Sequence, residues 1–170
     1  MSDMSMQAGP GRSYRWLNAT KSAPLFEFGA GLSYSTFGLK LATSAAAAGA
    51  GAHDVVVTNT GTVPAANVVL LFARARCEHG DAASPPPGLV PIKSLIDFNR
   101  TETLAPGASE TLSFTLADEQ LALVNATGAR VLCKGEFDLS FFDGSSTLRL
   151  THTVAASAVV STIPLPPQDE

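Results

Sequence analysis

Apolar residues recur at every second position through the latter half of this chain, and that spacing commits it to half-buried strands. In Glu110–Leu116, Leu112, Phe114 and Leu116 alternate with Thr and Ser. Phe137, Leu139 and Phe141 repeat the pattern in Glu136–Phe141, and Leu148, Leu150 and Val154 repeat it against Arg149, Thr151 and Thr153. A strand points successive side chains to opposite faces, so a period of two buries one face and wets the other. His53–Thr58, Asn67–Arg74 and Leu95–Thr103 read as further strands, rich in β-branched or aromatic residues. They are bounded by the turn signals Asn59-Thr60-Gly61, Ala105-Pro106-Gly107 and Asp143-Gly144. Phe72 and Phe98 read as core residues with Phe114, Phe137 and Phe141. Tyr14-Arg15-Trp16-Leu17 reads as a short aromatic strand, and the only helical turn expected falls within Asp118–Val124.

About seven short strands separated by turns point to an all-β antiparallel sandwich of immunoglobulin or fibronectin type III kind, with a closed barrel as the alternative. At 170 residues the chain is long enough to bury a core without a metal or a disulfide. Its 45% hydrophobic and 15% charged residues exclude general disorder. Three regions follow: an extended arm or linker over 1–36, the sandwich over 37–156, and a disordered, proline-containing tail over 157–170. Within the arm, the Gly/Pro/Ser lead of residues 8–13 is followed by Pro24–Phe37. There aromatics interleave with Gly29 and Gly31, the mark of an ordered loop. The Ala/Gly run Ser44–Ala52 and the proline-rich Arg76–Val90 are expected to be loops between strands.

The chemistry is sparse. A net charge of −4 gives no broad positive field, which argues against nucleic acid and against an anionic membrane surface as partners. No apolar run approaches the ~20 residues of a membrane helix. Asp54, Glu102, Glu110 and Asp138 read as solvated strand carboxylates, with no pair in an apolar setting suited to acid–base work. Cys77-Glu78-His79-Gly80-Asp81, with Cys133, His53 and His152 elsewhere, lacks the spacing of a zinc site, so neither metal nor cofactor is expected. Cys77 and Cys133 permit one disulfide without requiring it. His152, in phase with Leu150 and Val154, reads as a half-buried strand histidine with a hydrogen-bond partner. Three glycosylation sequons, at Asn18, Asn99 and Asn125, favour a secretory-pathway protein. Residues 1–7 show no secretory leader, which argues the other way.

The segment Phe26-Glu27-Phe28-Gly29-Ala30-Gly31-Leu32-Ser33-Tyr34-Ser35-Thr36-Phe37 resembles the F-P-F-G-x-G-L-S-Y-T-x-F signature of glycoside hydrolase family 3, with Glu27 in place of proline and Ala30 in place of His or Tyr. Val57–Gly61 resembles the family's V-x-N-T-G turn, Lys93–Phe98 its K-x-L-x-G-F strand, Leu104–Glu110 its L-x-P-G-E-S turn and Cys133–Leu139 its closing strand. Met4-Ser5-Met6 and Pro10–Trp16 are similar to the lead of plant-type β-xylosidases.

The resemblance implies a C-terminal fibronectin type III-like module of a secreted, extracellular β-xylosidase or β-glucosidase. Xylan-type polymers of β-linked xylose or arabinose are the implied substrates. The catalytic aspartate and glutamate of that family lie on domains upstream of this region, so the resemblance carries no catalytic residue here. It implies that Tyr14, Trp16, Phe26, Phe28 and Tyr34 pack against those catalytic domains, or alternatively onto this domain's own sheet. The other reading is a free-standing carbohydrate-binding or adhesion domain, with exposed aromatics stacking on sugar rings.

Overall fold

Each segment with a period of two becomes a strand, and the buried set of each strand is the alternate set. The structure, a computed structural model, describes residues 11–42, 51–77, 90–125 and 127–162. The lead through Met4 and Met6, most of the Ala/Gly run, residues 78–89 with His79 and Asp81, and the final eight residues lie outside the described residues. After a single helical turn, α1 (Ser13–Trp16), come β1 (Phe37–Leu41), β2 (Ala52–Asn59), β3 (Val68–Cys77), β4 (Ser94–Arg100) and β5 (Ser109–Thr115). The expected helical turn, α2 (Asp118–Leu121), leads into β6 (Leu123–Val124), β7 (Ala129–Leu132), β8 (Gly135–Phe142), β9 (Thr147–Val154) and β10 (Ala158–Thr162).

All strand pairings among the described residues are antiparallel. One sheet runs β1-β2-β5, a second β4-β3-β8-β9, and a small third β10-β7-β6. Val55 and Val57 of β2 and Leu112 and Phe114 of β5 share one core with Val69 and Leu71 of β3 and Phe137, Leu139 and Phe141 of β8. Phe114 and Phe141 meet edge to face across it, with ring centroids 5.2 Å apart. Two facing sheets around one apolar layer make the sandwich, not the barrel. A disulfide joins Cys77, at the end of β3, to the buried Cys133 between β7 and β8, tying the third sheet to the four-stranded one.

The structure corrects several expectations. Tyr14–Leu17 is not a strand. The Leu17 N–H closes a helical turn onto the Ser13 carbonyl at 3.0 Å, and the Arg15 carbonyl accepts a hydrogen bond from Ile92 N–H at 2.7 Å, so no ladder forms. Residues 158–162 are not a disordered tail: β10 pairs with β7 along Ala158↔Leu132 to Thr162↔Ala129, which extends the sandwich past 156. The strand expected over Leu95–Thr103 stops at Arg100, beyond which Leu104 bridges to Ala65.

Phe72 and Phe98 do not join the central core. The β3/β4 register shifts between Leu71 and Phe72, so that Leu71 faces Asp97 while Phe72 faces Leu95, and Ile96 is the extra residue of a bulge. Beyond the bulge Phe98 pairs with Leu70 and is 67% exposed. Phe72 is buried, but on the outer face of the sheet under the arm. β1, β6 and β7 were not foreseen.

Candidate functional site

The outer face of β4-β3-β8-β9 carries the arm. Its anchor is an aromatic cluster: Tyr14 stacks on Phe28 with centroids 4.2 Å apart and planes 14° apart, and both rings meet Phe72 edge-on at 6.1 Å. Lys93 Nζ lies 5.0 Å from the Phe72 ring centroid and 3.7 Å from Glu27 Oε2. Polar ties fix the register. The Leu95 N–H donates to the Tyr14 hydroxyl at 3.1 Å, and Arg15 Nε donates to Ser94 Oγ at 3.2 Å. α1 therefore exists because its side chains are held by β4 and Phe72, not because four residues favour a helix alone.

The glycine motif has a packing reason. Gly29 sits at φ +87°, where an L side chain is strained, and a Cβ there would also push on the Leu70 side chain, so glycine lets the arm lie close on the sheet. Downstream, the N-T-G turn locks the arm to β2. Buried Asn59 accepts from Ser35 Oγ at 2.7 Å and from Gly61 N–H at 3.0 Å. It donates from Nδ2 to the carbonyls of Val63 and Leu104, each at 2.8 Å. A Cβ on Gly61 would collide with Ser35 Oγ and with the Thr36 backbone nitrogen. The sequence reading missed Asn59 as a structural hub; the sign of it was an amide placed one position before the turn's Thr-Gly.

The five aromatics expected at an interface divide. Tyr14 and Phe28 pack on this domain's own sheet, and Trp16 is half-buried. Phe26 (79%) and Tyr34 (96%) are exposed, together with Leu25 (91%) and Leu32. Phe26 also lines an apolar hollow of about 440 Å³ between α1 and the arm, shared with Tyr14, Leu17 and Pro24.

Beside the arm lies a groove of about 420 Å³ on the same sheet face, lined by Arg74, Arg76, Lys93 and Arg149 and by the carboxylates Glu27 and Asp138. Asp138 Oδ2 is 2.6 Å from Arg76 Nη2 and accepts from Arg76 Nε at 2.8 Å. Of the other carboxylates, Glu110 accepts the Glu102 N–H at 2.9 Å, and Asp143 accepts from Ser145 and Ser146 in the β8–β9 turn.

The sequon asparagines stand apart. Asn18 and Asn125 lie in turns, where each Oδ1 accepts from the threonine two residues on. Asn99 lies on the edge strand β4, and its Thr101 is buried with Oγ1 accepting from Asn67 N–H at 2.9 Å. Across the sheets, His53 and His152 face each other at right angles with centroids 6.0 Å apart, and His53 Nε2 is buried without a partner. Burial first, and His152 second, push the His53 pKa below its usual 6.5, against an opposing pull from Asp54. Among the described residues no three His, Cys, Asp or Glu side chains gather around a metal position, and no helix is long and apolar enough to cross a membrane.

Residues 68–146 match the family model of the fibronectin type III-like domain. The chain is 31% identical over 94% of its length to a probable exo-1,4-beta-xylosidase, xlnD, of Aspergillus terreus, and covers 22% of that protein. It is 40% identical over 75% of its length to a beta-xylosidase of Formosa agariphila, covering 16% of it. A solved GH3 exo-beta-xylosidase has the same fold over 96% of this chain, with a TM-score of 0.71 at 23% identity, and this chain covers 23% of that one. The chain thus spans about a fifth of the length of the relatives it matches. With the family model over the sandwich and the likeness running through the arm, the chain belongs to the fibronectin type III-like C-terminal modules of glycoside hydrolase family 3 enzymes.

Proposed function

We propose that this chain is a non-catalytic packing module whose arm seats it on the catalytic domains of a β-xylosidase-type glycosidase, and that the parent protein hydrolyses O-glycosyl bonds of xylan-type substrates outside the cell. The observation that carries this reading is the exposed quartet Leu25, Phe26, Leu32 and Tyr34, held out from an arm that is itself pinned to the sheet. Fixing apolar side chains in water without a cover is unfavourable, and a buried aromatic or leucine gains roughly 1.5–3 kcal/mol, so a rigid apolar ridge calls for a partner surface. The parent's substrate class is supported by the xylosidase relatives.

Export to an oxidising compartment is supported by the Cys77–Cys133 disulfide and by the three sequons. In this reading Asn18, Asn99 and Asn125 carry glycans. The catalytic carboxylates belong to the parent's other domains. The purified chain is expected to give no turnover of an aryl β-xyloside; steady turnover that survives repurification would overturn the reading.

A further inference from the structure

The groove beside the arm has a chemistry that packing alone does not use. Three arginines and a lysine face two carboxylates there, although the whole chain carries a net charge of −4. Arg76 is committed to Asp138 and Lys93 to Glu27, which leaves Arg74 and Arg149 as cations without a bonded partner among the described residues. The register puts both over the same strand. Arg74 of β3 is opposite Asp138 of β8, and Arg149 of β9 is opposite Ser140 of β8, two residues along. Both arginines line the groove with Asp138 and Ser140 of the intervening strand β8, Thr147 and Thr151 on the β9 wall and the half-buried ring of Phe142 at the end nearest the arm, beside Gly29.

Each feature selects a ligand property. Two exposed arginines on one sheet face, neither bonded to a carboxylate, suit a planar anion, which a guanidinium binds through paired N–H donors. Serine and threonine hydroxyls suit a polyhydroxylated body, and the half-buried Phe142 ring suits the apolar face of a sugar ring. We propose that this groove is a binding site for an anionic saccharide, a pyranose carrying a carboxylate that Arg74 of β3 and Arg149 of β9 hold between them over β8. The choice of a xylose-based backbone for the probe rests on the proposed function; the preference for an anion does not.

The test is calorimetric titration of the full chain with a xylo-oligosaccharide bearing one glucuronic acid branch, and with the same compound methyl-esterified at the carboxyl. The acid is expected to bind at least about tenfold more tightly than the ester, and Arg74→Gln and Arg149→Gln are each expected to abolish that difference. Both arginines are exposed, and unchanged thermal unfolding of the variants shows that they fold. Absence of binding, equal binding of acid and ester, or binding that ignores both substitutions would overturn the proposal. So would a result in which neither compound binds but the same substitutions loosen the module from its parent's catalytic domains, since the groove would then be a protein contact. Failure of the titration leaves the aryl xyloside result untouched, so the two readings fail separately.

Discussion

Asn59 has four side-chain hydrogen bonds in a site with no access to water, which makes its loss costly. Asn59→Ala takes this partner from the Val63 carbonyl and the Ser35 hydroxyl, while the Leu104 carbonyl keeps the Ala65 N–H and the Gly61 N–H keeps the Thr36 carbonyl, and it is expected to lower the unfolding free energy by about 2 kcal/mol, read from the urea midpoint. His53 gives the pH dependence. Its folded pKa lies below 6.5, so the unfolded chain takes up the proton first, and stability present above about pH 6.5 is lost as the pH falls towards the lowered value. His152, Asp54 and the edge of Phe141 are its neighbours, and His53→Phe is expected to flatten a plot of urea midpoint against pH between 7 and 5. At this scale the sequence was legible where a residue type meets a backbone demand, as at Gly29. It was illegible where the demand comes from distant chain, since Asn59 gains its partners from Ser35 and Leu104, far from it in sequence.

Strands with a regular period were readable because burial on one face writes itself into alternate residues, as Leu112, Phe114 and Leu116 show. The failures have specific causes. A bulge at Ile96 moves Phe98 to the outer face, and nothing local to β4 announces it. β6 and β7 span only Leu123–Val124 and Ala129–Leu132, too short to show a period, and β10 is legible only once β7 is in place to pair with it. Truncation after residue 156 removes one of the two strands paired with β7 and is expected to lower the thermal midpoint measurably, whereas a tail of no structural consequence would leave it unchanged. The disulfide spans a sequence separation of 56 residues and links the third sheet to the second. Replacing both cysteines by alanine is expected to cost about 4 kcal/mol by the loop-entropy estimate, measured by denaturant unfolding.

The whole molecule is a sandwich with one dressed face and one undressed ridge. The sequence motif located the arm and named the aromatics, but could not say which of them turn inward. Tyr14 and Phe28 are spent on Phe72, while Phe26 and Tyr34 are left in water with Leu25 and Leu32. That division gives the sharpest test, because the exposed pair does little for the isolated fold. The measurement is the thermal unfolding of the full glycosidase chain that carries this module, wild type against Phe26→Ser/Tyr34→Ser, with the 170-residue chain alone as the reference. If the ridge seats the module on catalytic domains, the double substitution lowers the midpoint of the full chain by several degrees and leaves that of the isolated chain in place. An unchanged midpoint in the full chain would contradict the account.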